Sequence, residues 1–406
     1  MATQIIPHRC GQTKFHPLDY ASALGFFTYA SGATITPICL VILARDLSFS
    51  LAAAGSLEVA RSFLVVASLL LSGVLAGRFG KVRSLGYANC LQGIGLLVYA
   101  VAPHYGIVLL AMGVMGATGG VVEALINPLI QDLHPANSGR YLNFVNAFWS
   151  VGMLVTMLGA GEWLTQGASW RYLLVGLALL SLVSGLLYLA LGRHDARSTR
   201  LRTREVLGHK LEVLCNRRFL LFGTMMFVAG AAEGGLTFWS ATLIQLHHGG
   251  LPRAGGIGAA LFALGMIFGR IAAGLWISQR RLPDLLLGST LLAMAVGFVI
   301  PFADAVGMVF ILLFCAGLGI ACLWPSIQSY AADRLNVDTT ALFILLSCGG
   351  IPGFAAASWL MGIAAEQFSV ATSFLLIPLA LVVLAALLAW ERRLSGQRKS
   401  RVQVSE

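Results

Sequence analysis

Long apolar stretches, each ended by a short polar one, run the whole length of the 406-residue chain. A helix rises 1.5 Å per residue, so about 20 apolar residues cross the hydrocarbon core of a bilayer. Twelve stretches reach that length, near 18–44, 52–77, 83–103, 105–131, 139–164, 170–192, 218–246, 254–278, 283–303, 306–332, 338–364 and 369–390. Arg45-Asp46, Pro103-His104, His134-Pro135-Ala136-Asn137, Pro252-Arg253 and Asn336 are among the residues that separate them. The apolar positions lack the two-residue alternation of an outer-membrane barrel. The pattern predicts an all-α polytopic membrane protein with twelve transmembrane helices.

Composition narrows the class further. Hydrophobic residues make up 58% of the chain and charged residues 11%, against about 25% charged in a soluble domain. Mean hydropathy is +0.82. A water-soluble enzyme could not cover that much apolar surface, and a disordered chain would lack it. The apolar runs fill the chain, which excludes a single anchor. The net charge of +10 would suggest nucleic acid on a soluble protein. Here the charge sits in short loops and reads as a topology signal, with no nucleic-acid partner implied. With both termini cytoplasmic, all but five of the 27 Lys and Arg fall on the cytoplasmic side. Arg45, Arg171 and Arg253 fall outside, and Arg61 and Arg270 lie within spans. That asymmetry predicts a multi-pass plasma (inner) membrane protein with both ends in the cytoplasm. The first seventeen residues are polar and run directly into an apolar span, so no cleavable signal peptide is expected. The seven cysteines form no C-x-x-C pair, which argues against a disulfide framework or a zinc site.

The longest loop, 193–217, is strongly basic and divides the chain. It separates an N-terminal six-helix bundle, 1–192, from a C-terminal one, 218–406, that ends in a short basic tail. The halves look related: Asn127-Pro128-Leu129-Ile130-Gln131 and Trp324-Pro325-Ser326-Ile327-Gln328 share proline and glutamine at one offset. Six-helix repeats are a hallmark of secondary transporters.

The loop after the second span reads Gly73-Val74-Leu75-Ala76-Gly77-Arg78-Phe79-Gly80-Lys81-Val82-Arg83. Together with the span count and the central loop, it resembles the major facilitator superfamily, whose signature there is Gly-x-x-x-Asp-Arg-x-Gly-Arg-Lys. Gly73, Arg78 and Gly80 match, Lys81 keeps the charge, and Gly77 replaces the aspartate. In the family that acid helps lock the outward-facing state. The resemblance implies two six-helix bundles that rock to alternate access, acting as a monomer. Gly230-Ala231-Ala232-Glu233 with Trp239, Gly269-Arg270, Glu123 and Asn127 resemble the fucose–proton symporter branch, although Ala21 to Ala44 holds no acid. That narrower likeness implies proton symport of a sugar.

Ionisable groups in a span cost roughly 2.5–3.5 kcal/mol to insert, so each is a functional candidate. Glu123 lies about 14 Å from the cytoplasmic end of its span, and Glu233 lies near the middle of the seventh. Either carboxyl can load and release a proton; each could instead make a structural hydrogen bond between helices. Asn127 and Gln131 follow Glu123 on one helix face, and Asn143 and Asn146 precede Trp149 and Ser150 in the fifth span. Amides and aromatic rings suit a neutral polyol; packing between helices is the alternative. The candidate substrate contacts are thus Asn127, Asn143, Asn146, Trp149, Trp239, Arg270, Trp324 and Gln328. Arg270 can snorkel to headgroups, pair with Glu233 or anchor an anion. Glu58 and Arg61, at i and i+3, read as a local ion pair. No P-loop and no His-Glu-x-x-His motif occurs, and no cofactor or metal is implied.

These features predict no enzyme. They predict a secondary active transporter that moves a small polar solute, a sugar being one candidate, by proton symport. A proton-driven exporter of drugs or metabolites would use the same parts. The partners expected are the solute, protons and the bilayer.

Overall fold

The computed structural model describes residues 15–134, 138–192, 216–276, 281–335 and 339–404. The central loop that the sequence places at 193–217 lies almost wholly outside these residues. All regular structure among them is helical. Helix α1 (Pro17–Asp46) starts at a capping box: His16 Nδ1 accepts from Leu18 N, and the Asp19 carboxylate accepts from His16 N. Ser50 caps α2 (Leu51–Phe79). Gly80 then takes φ +83°, a left-handed conformation that glycine adopts freely, and turns the chain into α3 (Lys81–Ala100). Next come α4 (Tyr105–Leu133), α5 (Ser138–Thr165), α6 (Trp170–Leu191) and α7 (Arg217–Thr242). A wider π-type turn, Leu243–His247, extends α7. The remainder is α8 (Pro252–Trp276), α9 (Leu282–Val299), α10 (Val306–Ile320), α11 (Leu323–Ala332), α12 (Thr339–Gln367), α13 (Val370–Ser373) and α14 (Leu376–Val404).

Among the described residues, eleven segments are long and apolar enough to cross a membrane. Helix α3, 20 residues long, reaches about 30 Å and is more polar for a local reason. Its buried Asn89 and Gln92 face α1, where Thr28 Oγ1 donates to Asn89 Oδ1 (3.3 Å) and Gln92 Nε2 donates to Thr28 O (2.8 Å). The tenth apolar stretch, which reads as one helix over 306–332, is broken at Ala321-Cys322 into α10 and α11.

Contacts between helix ends define two faces of the molecule. The first, the basic end, joins the start of α1 to the end of α4 (Asp19–His134, 2.9 Å) and Lys81 to Asp132 (2.6 Å). Arg218 pairs there with Glu391 (3.1 Å), and Arg392 with Asp284. At the far end, Trp170 Nε1 donates to Asp46 Oδ2 (3.0 Å) and Arg171 Nη1 donates to Ala100 O (2.6 Å).

Helices α1–α6 and α7–α14 meet at the far end. Gly55 lets α2 lie against the backbone of Ser358 and Trp359 in α12, and Gly362 lets α12 lie against Leu51 and Ala52. Ala52 N donates to Glu366 Oε2 (3.0 Å). Gly161 and Gly256 bring α5 and α8 together in the same way. Arg253 of α8 forks onto Glu162 of α5 (2.5 and 2.7 Å), and its backbone N–H goes to Thr165 Oγ1 (2.8 Å). Gln245 Nε2 donates to Ile38 O (3.4 Å).

The faces that make this seal lose it towards the basic end. On α8, Ala259, Ala263 and Arg270 fall on one stripe; the two alanines pack into the core of α5, and Arg270 is exposed. On α4, Met112, Gly116, Gly119 and Glu123 share a stripe that is buried until Glu123, which is exposed. On α5, buried Met157 and Gly161 are followed towards the basic end by exposed Ala147 and Asn146. A charged group cannot face lipid without large cost. These stripes therefore line an aqueous cleft between the halves, closed at the far end and open at the basic end.

Candidate functional site

The first half presents a buried charge cluster beside the cleft. Glu58 of α2 is 1% exposed. It accepts a fork from Arg61, with Nε at 3.0 and 2.9 Å and Nη2 at 2.5 Å. Ser62 Oγ adds a bond at 3.1 Å. The Tyr29 hydroxyl of α1 lies beside the Arg61 guanidinium, and Glu123 of α4 interacts electrostatically with both. Small residues make this possible. A Cβ on Gly116 would strike the Arg61 carbonyl, and one on Gly119 would strike the Tyr29 ring. Without side chains at those two places, α4 approaches α1 and α2 closely enough to bring Glu123 to the cluster. Glu123 itself remains open to the cleft.

One turn closer to the basic end, Asn146 Nδ2 of α5 donates to Asn127 Oδ1 of α4 at 2.8 Å. This joins two residues that the sequence singles out separately. Gln131 is exposed on the same face. Trp149 is half-buried and packs into the cores of the first half. The side chain of Asn143 lies outside the described residues.

In the second half, Arg270 Nη2 of α8 stands 3.7 Å from Glu233 Oε1 of α7. Its Nε donates to Ala321 O at 3.3 Å. That carbonyl is freed because the helix breaks there, and Cys322 Sγ bonds back to Gly269 O (3.4 Å). Broken helices with exposed carbonyls mark binding regions in transporters. Trp324 is half-buried, its ring against the Gly350 backbone. Gln328 Nε2 goes to Ser347 Oγ (3.1 Å) and Phe343 O (3.4 Å), tying α11 to α12. Trp239 stands apart from the cleft. It is fully buried, and its Nε1 donates to Ser358 O (3.0 Å), so it holds α7 to α12.

The residues of the loop motif lie at the basic end. Arg78 is exposed over the Phe79 ring (5.3 Å), and Gly73 precedes it in α2. Gly80 makes the turn, and Lys81 pairs with Asp132, joining α3 to α4. Beside that pair, fully buried Asp19 holds His134, whose ring stacks on Tyr141 at 3.5 Å. Among the described residues no group of three or more His, Cys, Asp and Glu comes together to hold a metal.

Two participants escape sequence reading, Tyr29 and Asp19, while the third, the Ala321 carbonyl, leaves a signal. Tyr29 is one aromatic residue in an apolar span and carries no local signal. The signal for the Ala321 carbonyl is Pro325, which has no N–H to donate to the carbonyl four residues before it, with Gly317 and Gly319 just ahead of the break. Asp19 lies just before the stretch without acids and is drawn in by its capping role.

Residues 21–357 match the sequence profile of the Major Facilitator Superfamily. An efflux pump, dotC, of Dothistroma septosporum is 29% identical over 232 residues, which is 56% of this chain and 38% of that protein. The chain thus spans well under half of that relative. Among solved structures, a bacterial homologue of the human lysosomal transporter Spinster, in an inward-facing and occupied conformation, superposes with a TM-score of 0.77. It is 14% identical, with 94% of this chain and 98% of that one covered. A D-xylose–proton symporter superposes with a TM-score of 0.69 at 14% identity, covering 92% and 96%. At such identities these likenesses concern the fold alone.

Proposed function

Because the chain belongs to the Major Facilitator Superfamily and is therefore a multi-pass membrane transporter, we propose that it moves a small polar solute together with protons by alternating access. The observation that carries this reading is Glu123: a midspan carboxyl, open to the cleft and in the field of Arg61. A carboxylate there has a counter-ion on one side and water on the other. It can hold a proton in one state of the carrier and release it in another. Glu233, close to Arg270, is the second proton site. The Asn127–Asn146 pair offers one amide face to hydroxyl groups of the solute.

The bundles 1–192 and 218–406 would move as units about the glycine-lined contacts of α2 with α12 and α5 with α8. The basic end, rich in Lys and Arg, is the cytoplasmic one by the positive-inside rule. On that assignment the cleft opens inward and Arg253–Glu162 closes the outer side. Gly73, Arg78, Gly80 and Lys81 serve the gate at the cytoplasmic surface, with Lys81–Asp132 as its ion pair. A sugar as solute draws on the amide pair and on the fucose–proton likeness of Glu123, Asn127 and Arg270. A proton-driven exporter is the second reading, favoured by the partial likeness to an efflux pump.

The test is proton movement in de-energised cells that overproduce the protein, with monosaccharides added singly while external pH is recorded. Alkalinisation by one sugar, abolished in Glu123→Gln with folding retained, supports symport. Acidification, or dye efflux from everted vesicles with no sugar response, supports the exporter. Unaltered proton movement in Glu123→Gln removes Glu123 from the mechanism.

A further inference from the structure

Arg270 differs from the other paired arginines near the cleft and its seal. Arg61 and Arg253 each fork onto a carboxylate at 2.5–3.0 Å. Arg270 stands 3.7 Å from Glu233, with no hydrogen bond between them. A charge-assisted N–H···O bond measures about 2.7–2.9 Å. The hydrogen bond Arg270 does make comes from Nε, to Ala321 O. That bond fixes the stem of the side chain and leaves both terminal nitrogens without hydrogen-bond partners among the described residues. The side chain is 41% exposed, on the stripe of α8 that faces the cleft rather than lipid.

A planar fork of unused donors, oriented at its stem, at the protein wall of a water-accessible cleft, matches a carboxylate. On the opposite half, Asn127 and Asn146 lie at a similar height, about 9–12 Å from the basic ends of their helices. Resting on the transporter reading above, we propose that the substrate is a hydroxylated monocarboxylate. Its carboxylate takes the Arg270 fork and its hydroxyls face the amide pair.

Charge balance then couples the proton. Before binding, Arg270 is positive and Glu233 negative. The substrate carboxylate replaces Glu233 as counter-ion, and a carboxylate left unpaired in this medium is costly. Glu233 therefore takes one proton from bulk water. The site holds the same net charge before and after, with one anion and one proton gained.

The test uses the purified full-length protein in detergent at low buffer capacity. Lactate, gluconate and quinate are compared with propane-1,2-diol, sorbitol and inositol as neutral counterparts, and with glucosamine as a cation. The rise in unfolding temperature reports binding, and an indicator dye reports protons. At least one carboxylate is expected to stabilise the protein, taking up one proton per site, while its neutral counterpart does neither. Arg270→Gln is expected to weaken that binding at least tenfold, and Arg270→Lys less. Glu233→Gln is expected to bind the carboxylate without proton uptake. Should Arg270→Gln fail to fold, the charge preference of the unaltered protein and the Glu233→Gln proton count decide. Absence of carboxylate binding, or equal binding of the neutral counterpart, overturns the proposal. Binding of a neutral solute with proton uptake that Glu123→Gln abolishes overturns it while leaving the transporter reading intact.

Discussion

Arg61 and Arg270 occupy the second and the eighth spans, corresponding places in the two halves, and each has a glutamate beside it. Their surroundings differ in every other respect. Arg61 is 12% exposed and forks onto Glu58 with Tyr29 alongside; Arg270 is 41% exposed, its glutamate is too far for a hydrogen bond, and one backbone carbonyl steadies its stem. The first pair is a structural knot, in which the Nε and Nη2 fork of the guanidinium is spent inside the protein. The second is unfinished, and its spare capacity faces water. The same two residue types thus serve folding in one half and binding in the other. What separates them is whether the glutamate lies on the arginine's own helix, one turn away, or on a neighbouring helix that can shift.

The sharpest way to break the comparison is to remove each arginine in turn. Arg61→Gln leaves Glu58 as a buried, unpaired carboxylate and is expected to cost about 3–5 kcal/mol of stability. The expected signs are poor yield and a fall in unfolding temperature. Arg270→Gln leaves Glu233 within reach of cleft water, and its unfolding temperature is expected to stay within a few degrees of the parent's. Equal losses would mean that both pairs are structural. A smaller effect is expected from Gly116→Val, which forces a side chain onto the Arg61 carbonyl and pushes α4 off α2. Overpacking of this kind costs about 1–3 kcal/mol, measured by thermal unfolding. It should also impair proton coupling, since it moves Glu123 away from the cluster. The smallest is Tyr29→Phe, which removes the hydroxyl beside the Arg61 guanidinium and is expected to cost no more than about 1 kcal/mol. Its interest lies in a change in the pH dependence of transport through Glu123, read from initial rates across pH. An unchanged profile would sever Tyr29 from the proton path.

How much of this was legible in the sequence depends on the range of the interaction. Spans follow from runs of apolar residues, and the Glu58–Arg61 fork follows from i, i+3 spacing, so both are readable. Glu123 and Glu233 stand out because charge is rare in such runs. The contacts that give those acids their neighbours are not readable. Tyr29 reaches Arg61 from another helix, and Asn146 meets Asn127 across α4 and α5. Neither meeting leaves a local trace. The break at Ala321-Cys322 interrupts an unbroken apolar stretch, because apolarity reports burial and not helical continuity. Trp239 shows the reverse hazard. Its ring suggested a pocket wall, yet it is buried and spends its N–H on Ser358 O. Helix α3 reads as apolar enough only if Asn89 and Gln92 have partners, which α1 supplies.

The roles of Glu123 and Arg270 depend on a cleft that water enters from one end only. Ala147 lies on its wall, small and exposed, in the helix that also forms the far-end seal. In a cysteine-free background, Ala147→Cys should react with a membrane-impermeant maleimide from the cytoplasmic side. It should be protected from the outside until Gly256→Leu, which wedges α8 off α5 at the seal, reverses the preference. Slow labelling from both sides would mean that no aqueous cleft exists there. Labelling from the outside in the parent would mean that the basic end is the closed one.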